Sequence, residues 1–151
     1  MQNMLLQPIG WVRNDVSLKK HTAWAEEVST ILLDQDYYGG LKGLEDFSHA
    51  IILCYLDKAR YDRQRHLLRR PQNREDMPVV GIFSQRTKDR PNTIGVTSVE
   101  ILSVTEESIT VRGLDALDGT PVLDIKPYYP AFDKREATVP EWVDRLMAHY
   151  F

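Results

Sequence analysis

The stretch from Val79 to Tyr128 constrains this chain most. Short runs of β-branched and aromatic residues follow one another there, separated by turn-forming clusters too close together to leave room for a helix. Pro78 to Phe83 reads as a β-rich run, then the polar loop Phe83 to Gly95, then Val96 to Val104. Glu106-Glu107-Ser108 reads as a turn, Ile109 to Arg112 as a returning strand, and Val122 to Tyr128 as another after the Asp118-Gly119 tight turn. The loop carries two arginines four apart, Arg86 and Arg90, then Pro91-Asn92 and Gly95. Polar groups held between two strands form a shaped loop that can cradle an anion.

The rest of the chain extends the same pattern. Met4 to Val12 reads as a first strand, and Val28 to Leu33 as a β-branched one with apolar character on both faces. Tyr37 to Gly40 breaks that run, and Leu41 to Phe47 suits a short helical turn. Ala50 to Leu56 is the most apolar run and belongs in the middle of a sheet, with His49 at its mouth as a base, a ligand contact or a structural imidazole. In the strand ending at Tyr128, period-two alternation puts Asp124, Lys126 and Tyr128 on one face and Leu123 and Ile125 on the other. The one helical pattern is C-terminal, about 139 to 149. Thr138 and Glu141 have capping-box spacing, Pro140 suits a first turn, and Trp142, Val143, Leu146, Met147 and Tyr150 form an apolar stripe that docks on the barrel or on a second subunit. The expected fold class is mainly β: one mostly antiparallel β domain over 1–151 with a short helix and a C-terminal helix, and enough strands to close a barrel.

Composition narrows the class. A chain of 151 residues with 42% hydrophobic content buries a core without disulfides or metal. Its single Cys54 lies in an apolar run, so a disulfide framework within the chain and a Cys-rich zinc site are excluded, and a buried structural thiol is expected. No apolar stretch approaches the ~20 residues of a membrane span and no signal-peptide order opens the chain, so a soluble cytoplasmic protein is expected. The net charge of −3 conceals an asymmetry: Lys58 to Arg74 holds seven basic residues and one acid, Asp62. Such a block is either a solvated loop or a patch for anions or nucleic acid, with Arg63, Arg65, Arg69 and Arg70 as the contacts.

Familiar signatures are absent. There is no G-x-G-x-x-G after a strand, no Walker loop, no H-E-x-x-H and no nucleophile elbow. His21, His49, His66 and His149 share no metal-ligand spacing, so no metal is expected.

Phe83-Ser84-Gln85-Arg86, Arg90-Pro91-Asn92 and Ile94-Gly95, followed by the ungapped block Leu114 to Tyr128, resemble the TsaA/TrmO (YaeB-like) family of S-adenosylmethionine-dependent methyltransferases. Gly43 to His49 and Pro8 to Val12 resemble it too, so the likeness runs from about 8 to 130. It implies a single-sheeted antiparallel β-barrel and a homodimer, with S-adenosylmethionine bound close to the subunit interface. It also implies a tRNA substrate, since the best-known members methylate N6 of threonylcarbamoyladenosine at position 37.

Gln85, Arg86, Val96 and the segment Leu114, Asp115, Ala116, Leu117 and Asp118 are then the cofactor-binding candidates, with Arg86 anchoring a cofactor anion or the loop itself. Asp118 or Asp124 would accept a hydrogen bond or a proton from an exocyclic amine, although an Asp124–Lys126 ion pair accounts for that face equally well. His49, Lys126 and Tyr128 would join the four arginines in contacting acceptor or RNA. Trp24 either stacks on a base or packs. The chain departs from the family at Gln85-Arg86-Thr87-Lys88 and Thr93, where Thr-Arg-Ser-Pro and proline are usual. It also has Lys19-Lys20-His21-Thr22-Ala23-Trp24 where the tRNA-acting members carry Pro-Arg-Gln, and it resembles the short stand-alone members. Methylation of a small molecule, and a cofactor- or RNA-binding module without transfer, are the alternatives.

Overall fold

The structure is a computed structural model that describes residues 1–17 and 23–151; Lys19, Lys20, His21 and Thr22 lie outside the described residues. Six antiparallel strands close into one barrel in the order β1-β2-β7-β6-β3-β8. They are β1 (Gly10–Arg13), β2 (Val28–Leu33), β3 (His49–Tyr55), β6 (Ile94–Val104), β7 (Ser108–Arg112) and β8 (Pro121–Pro127). A two-stranded flap, β4 (Leu68–Arg69) with β5 (Val80–Gly81), stands outside it. The helices are short: α1 (Arg63–His66), α2 (Pro130–Asp133) and α3 (Glu141–Met147). Among the described residues no helix is long and apolar enough to cross a membrane.

Alternation explains the closure. In β2, Ser29, Ile31 and Leu33 are buried while Val28 and Leu32 are exposed. In β3, Ala50, Ile52 and Cys54 point inward between β6 and β8. With Val12, Val99, Ile109, Val111 and Val122 they fill one core, and Leu41, Leu44, Leu114 and Ala116 plug it from the connections. β-Bulges at Leu102 in β6 and Leu123 in β8 add the local twist that a six-stranded closure needs. Ile125 keeps to the core side of β8, as the alternation predicts.

Gly10 marks the tightest strand contact. A Cβ there would meet the Leu32 carbonyl oxygen at 2.4 Å. Gly10→Ala therefore forces β1 and β2 apart, at about 1–3 kcal/mol by analogy with overpacking, and calorimetry should show a clear fall in Tm with the far-UV spectrum kept.

Several sequence expectations are corrected. The first strand does not begin at Met4: pairing starts at Ile9, whose N–H reaches the Val122 carbonyl, and Met4, Leu5 and Leu6 are exposed. Pro78 to Phe83 is not a barrel strand. Only Val80 and Gly81 pair, and they pair with the flap, after which Ile82–Ser84 coil into a 3-10 turn. Thr138 caps nothing: Pro140 precedes the helix without a side-chain cap, and the Glu141 carboxylate pairs with Arg145 instead. The helix spans seven residues, shorter than the stripe suggested, with Trp142, Val143 and Leu146 half-buried and Met147 exposed. The basic stretch is not a structureless loop, since it forms α1, capped by Asp62 accepting from Gln64 N–H, and β4.

Candidate functional site

The strand register decides which sequence features meet. β3 pairs Tyr55 with Ile94 at one end and His49 with Glu100 at the other, while β8 places Val122 beside Cys54 and Pro127 beside Ala50. The 83–95 loop and the β7–β8 connection, which carries Leu114 to Asp118, therefore share the Cys54 end of the barrel. His49 and Tyr128 share the opposite end, about 20 Å away along the seven-residue β3.

At the Cys54 rim the loop is braced from within. Arg90 Nη1 donates to the carbonyls of Gln85 (2.9 Å) and Thr87 (3.2 Å). Asp89 accepts from Lys88 Nζ (2.8 Å) and from the Arg60 backbone N–H (3.1 Å), joining the loop to the basic segment. Burial pushes the Asp89 carboxyl up, but these hydrogen bonds, with the charges of Lys88 and His66, outweigh it and hold the group below the usual carboxylate range. Arg86 Nη2 donates to the Val96 carbonyl at 2.9 Å, so this guanidinium bridges the loop to β6.

Beside Arg86 lies the most concentrated polar contact of the barrel. Thr97 Oγ1 donates to one oxygen of Asp115 and the Tyr150 hydroxyl donates to the other. Asp115 is half-buried and Thr97 only 9% exposed, so this carboxylate is part of the barrel wall. Its charge reaches inward as well: burial first, and Asp115 second, push the Cys54 thiol up to about 12. Burial, and then Asp115, also push the Tyr150 phenol above its ordinary range, against an opposing pull from Arg86.

The segment after Asp115 is pinned by Asn14. Its Nδ2 donates to the Ala116 carbonyl (2.8 Å) and to Ser29 Oγ (2.9 Å), and its Oδ1 accepts from Val16 N–H (2.9 Å) in an Asx turn. Asp118 Oδ1 accepts from the Asn14 N–H at 3.0 Å, and Gly119 takes the positive φ of 84° that lets the chain turn into β8.

The structure thus brings Arg86, Val96 and Asp115 together, with Asp118 exposed in the same segment. Leu114 and Ala116 are core residues and can offer a ligand only their backbone, while the Leu117 carbonyl is taken by Thr120. Gln85 turns away from the rim, its Nε2 lying 3.3–3.4 Å from the carbonyls of Arg69, Val80 and Gly81 in the flap. Asp124 is paired with Lys126 at 2.8 Å on the outer wall, away from the Asp115 cluster. Trp24 is 3% exposed, so it packs rather than presenting a stacking face.

The far end forms a second concavity of about 570 Å³, lined among others by Phe47, Ser48, His49, Tyr128 and Tyr129. Phe47 stacks on Tyr129 at 5.8 Å, and Ser48 Oγ lies 2.7 Å from His49 Nδ1. Of the arginines, Arg63 and Arg65 are exposed on α1, whereas Arg69 donates to Asn73 Oδ1 (3.3 Å) and Arg70 to the Met77 carbonyl. Asn14, Thr97 and Tyr150 had no sequence signal of their own. Only the closure of the barrel brings them to the rim.

A closed six-stranded barrel with an acid and a guanidinium at one rim and an aromatic cleft at the other defines a small β-barrel whose two ends are its candidate ligand sites. The family model described as tRNA-methyltransferase O N-terminal domain matches residues 17–134, and the chain belongs to that family. It is 39% identical to the S-adenosyl-L-methionine-binding protein of Archaeoglobus fulgidus over 86% of this chain and 93% of that one. It is 31% identical to the tRNA (adenine(37)-N6)-methyltransferase of Mus musculus, over 87% of this chain and 32% of that one. Its fold superposes on the crystal structure of TrmO from P. aeruginosa with a TM-score of 0.75 and 27% identity, covering 95% of this chain and 63% of that one. The chain therefore spans about a third of the mouse enzyme and just under two thirds of the solved TrmO chain.

Proposed function

We propose that this chain is an S-adenosylmethionine-dependent methyltransferase domain that works as a homodimer on RNA, with adenosine N6 at tRNA position 37 as first-choice acceptor. The observation that carries the reading is that Arg86 and Asp115 are anchored on neighbouring residues of β6, Arg86 on the Val96 carbonyl and Asp115 on the Thr97 hydroxyl. Their chemistry fits the cofactor. Asp115 is a fixed acceptor suited to ribose hydroxyls, Arg86 a cation for the carboxylate, and the half-exposed Val96 side chain an apolar surface for the adenine. Bound there, S-adenosylmethionine supplies a methyl group on a sulfonium, ready for in-line transfer to a lone pair.

The chain's own task is then to hold an acceptor amine in line and to receive its proton. Asp118 is the carboxylate available at the rim, since Asp124 is engaged by Lys126. His49 and Tyr128 lie about 20 Å from that rim within one subunit, too far to touch a shared reacting atom. In the homodimer reading, the His49–Tyr128 end of one subunit faces the Asp115 rim of the other. Mixing inactive Asp115→Ala and His49→Ala proteins is then expected to restore activity. We infer a cytoplasmic location as part of the same reading.

The deciding experiment offers labelled S-adenosylmethionine with total RNA and with a metabolite extract. Label in the tRNA fraction supports the reading, and label in metabolites alone moves the acceptor to a small molecule. No label with cofactor binding intact leaves a binding module. Neutralising Arg63 and Arg65 together is expected to weaken tRNA binding without unfolding the barrel. The slope of log affinity against log salt should fall by about 0.9 per lost phosphate contact, read by filter binding over a salt series.

A further inference from the structure

Asp115 has the disposition of a hydroxyl reader, and its two partners differ in permanence. Each of its oxygens accepts from a separate hydroxyl, Thr97 Oγ1 on one side and Tyr150 on the other. A carboxylate that takes two hydroxyl donors can equally take the two adjacent hydroxyls of a ribose. Thr97 is fixed, because it lies in the middle of β6, paired with Ile52 of β3, and is almost fully buried. Tyr150 lies outside the barrel, in the segment that follows α3. Its segment rests on the body through Ala23 N–H to the His149 carbonyl (3.2 Å) and Trp24 N–H to the Tyr150 carbonyl (3.1 Å). Further back in α3, the half-buried Arg145 reaches the Asp76 carboxylate and carbonyl.

Such a contact set opens locally at much lower cost than a barrel strand. The helix leading into it has seven residues and no side-chain N-cap. Tyr150 also lies beyond residues 17–134, the part of the chain that matches the family. Arg86 acts electrostatically on the same phenol, so the Tyr150 hydroxyl lies within the influence of both charged groups assigned to the cofactor.

We propose that Asp115 is the receptor for a ribose vicinal diol and that the Tyr150 hydroxyl competes with that diol for it, making the C-terminal segment a built-in competitor for the cofactor site. The inference rests on the cofactor reading above and adds to it a reason for the tail to be where it is. Entry of a nucleoside cofactor releases Tyr150 from Asp115, and the tail's hold on Ala23 and Trp24 sets how readily this happens.

The test is calorimetric titration of the full chain with S-adenosylhomocysteine and with its 2′,3′-dideoxy analogue, for the wild type and Tyr150→Phe. Phenylalanine keeps the ring packed on Phe151, which it meets edge-on at 4.9 Å, and removes only the hydroxyl. Binding of the hydroxylated ligand is expected to tighten about tenfold, the equivalent of one ordinary hydrogen bond, with no such gain for the dideoxy analogue. Equal or weaker binding by Tyr150→Phe, with the wild type binding well, overturns the competitor role and leaves the cofactor reading standing. An equal gain for both ligands overturns the diol assignment. If neither protein binds either ligand, the cofactor reading itself fails, and this inference with it.

Discussion

Replacing Asp115 with alanine is expected to weaken S-adenosylhomocysteine binding by 100-fold or more while the barrel still forms. A hydrogen bond to a charged acceptor contributes about 1.5–3 kcal/mol, and in the proposed complex Asp115 accepts two, so their joint loss amounts to two or more decades in affinity. The substitution also leaves the Thr97 hydroxyl buried without its acceptor, a cost of about 1–3 kcal/mol that shows as a lower Tm. Asp115→Asn separates the two effects. It keeps the shape and one acceptor oxygen, so stability should recover more than affinity does. Isothermal titration beside a thermal melt reads both. Alanine and wild-type proteins binding alike would remove Asp115 from the site, and with it the proposed placement of the ribose.

How much of this was legible beforehand depends on whether an element carries its signal locally. Val28–Leu33 announced itself by its β-branched residues, Ala50–Leu56 as the most apolar run, Ile109–Arg112 as the return of a hairpin, and Val122–Tyr128 by the alternation of its two faces. The fold class and the barrel followed from those strands and the turns between them. Pro78–Phe83 misled because its apolar residues serve a flap: Ile82 and Met77 are fully buried there, and burial alone gives no strand. Met4–Pro8 misled because an apolar run still needs a partner edge, and β1 meets β8 only at Gly10 and Trp11. The capping-box spacing at Thr138 failed because Glu141 had a better partner in Arg145, one turn along.

At the site the division is sharper. Arg86 and the Leu114–Asp118 block could be read from motif likeness, and the barrel anchors Arg86 and Asp115 on neighbouring residues, Val96 and Thr97. What fixes them could not be read, because Thr97 lies 18 residues from Asp115, Tyr150 lies 35 away, and Asn14 lies 102 from Ala116. A contact of that span exists only once the barrel has closed. The same closure sends Asp124, four strand residues from the Asp118 turn's exit, to the outer wall with Lys126, and carries His49 and Tyr128 to the far rim. A motif that reads as one continuous block is thereby shared between two ends of the molecule.

The Cys54 thiol supplies the largest expected effect of pH on stability. Burial chiefly, and Asp115 in addition, raise it from 9.0 to about 12 in the folded chain. Below pH 9 the thiol is protonated in both states and titrates in neither. Between pH 9 and 12 the unfolded chain releases this proton while the folded chain keeps it, so stability falls as pH rises through that window. One proton costs about 1.4 kcal/mol per pH unit, or roughly 4 kcal/mol across the window, which is comparable with the 5–15 kcal/mol that holds a typical domain together. Tyr150 pulls the same way above pH 10, since its folded value is also raised. Urea midpoints measured from pH 7 to 11 should therefore drop steeply above 9. In Cys54→Ala the drop should be shallower and begin later, at a modest cost near neutrality for the small cavity. Parallel curves for the two proteins would show that the thiol is not the group whose burial limits the fold in alkali.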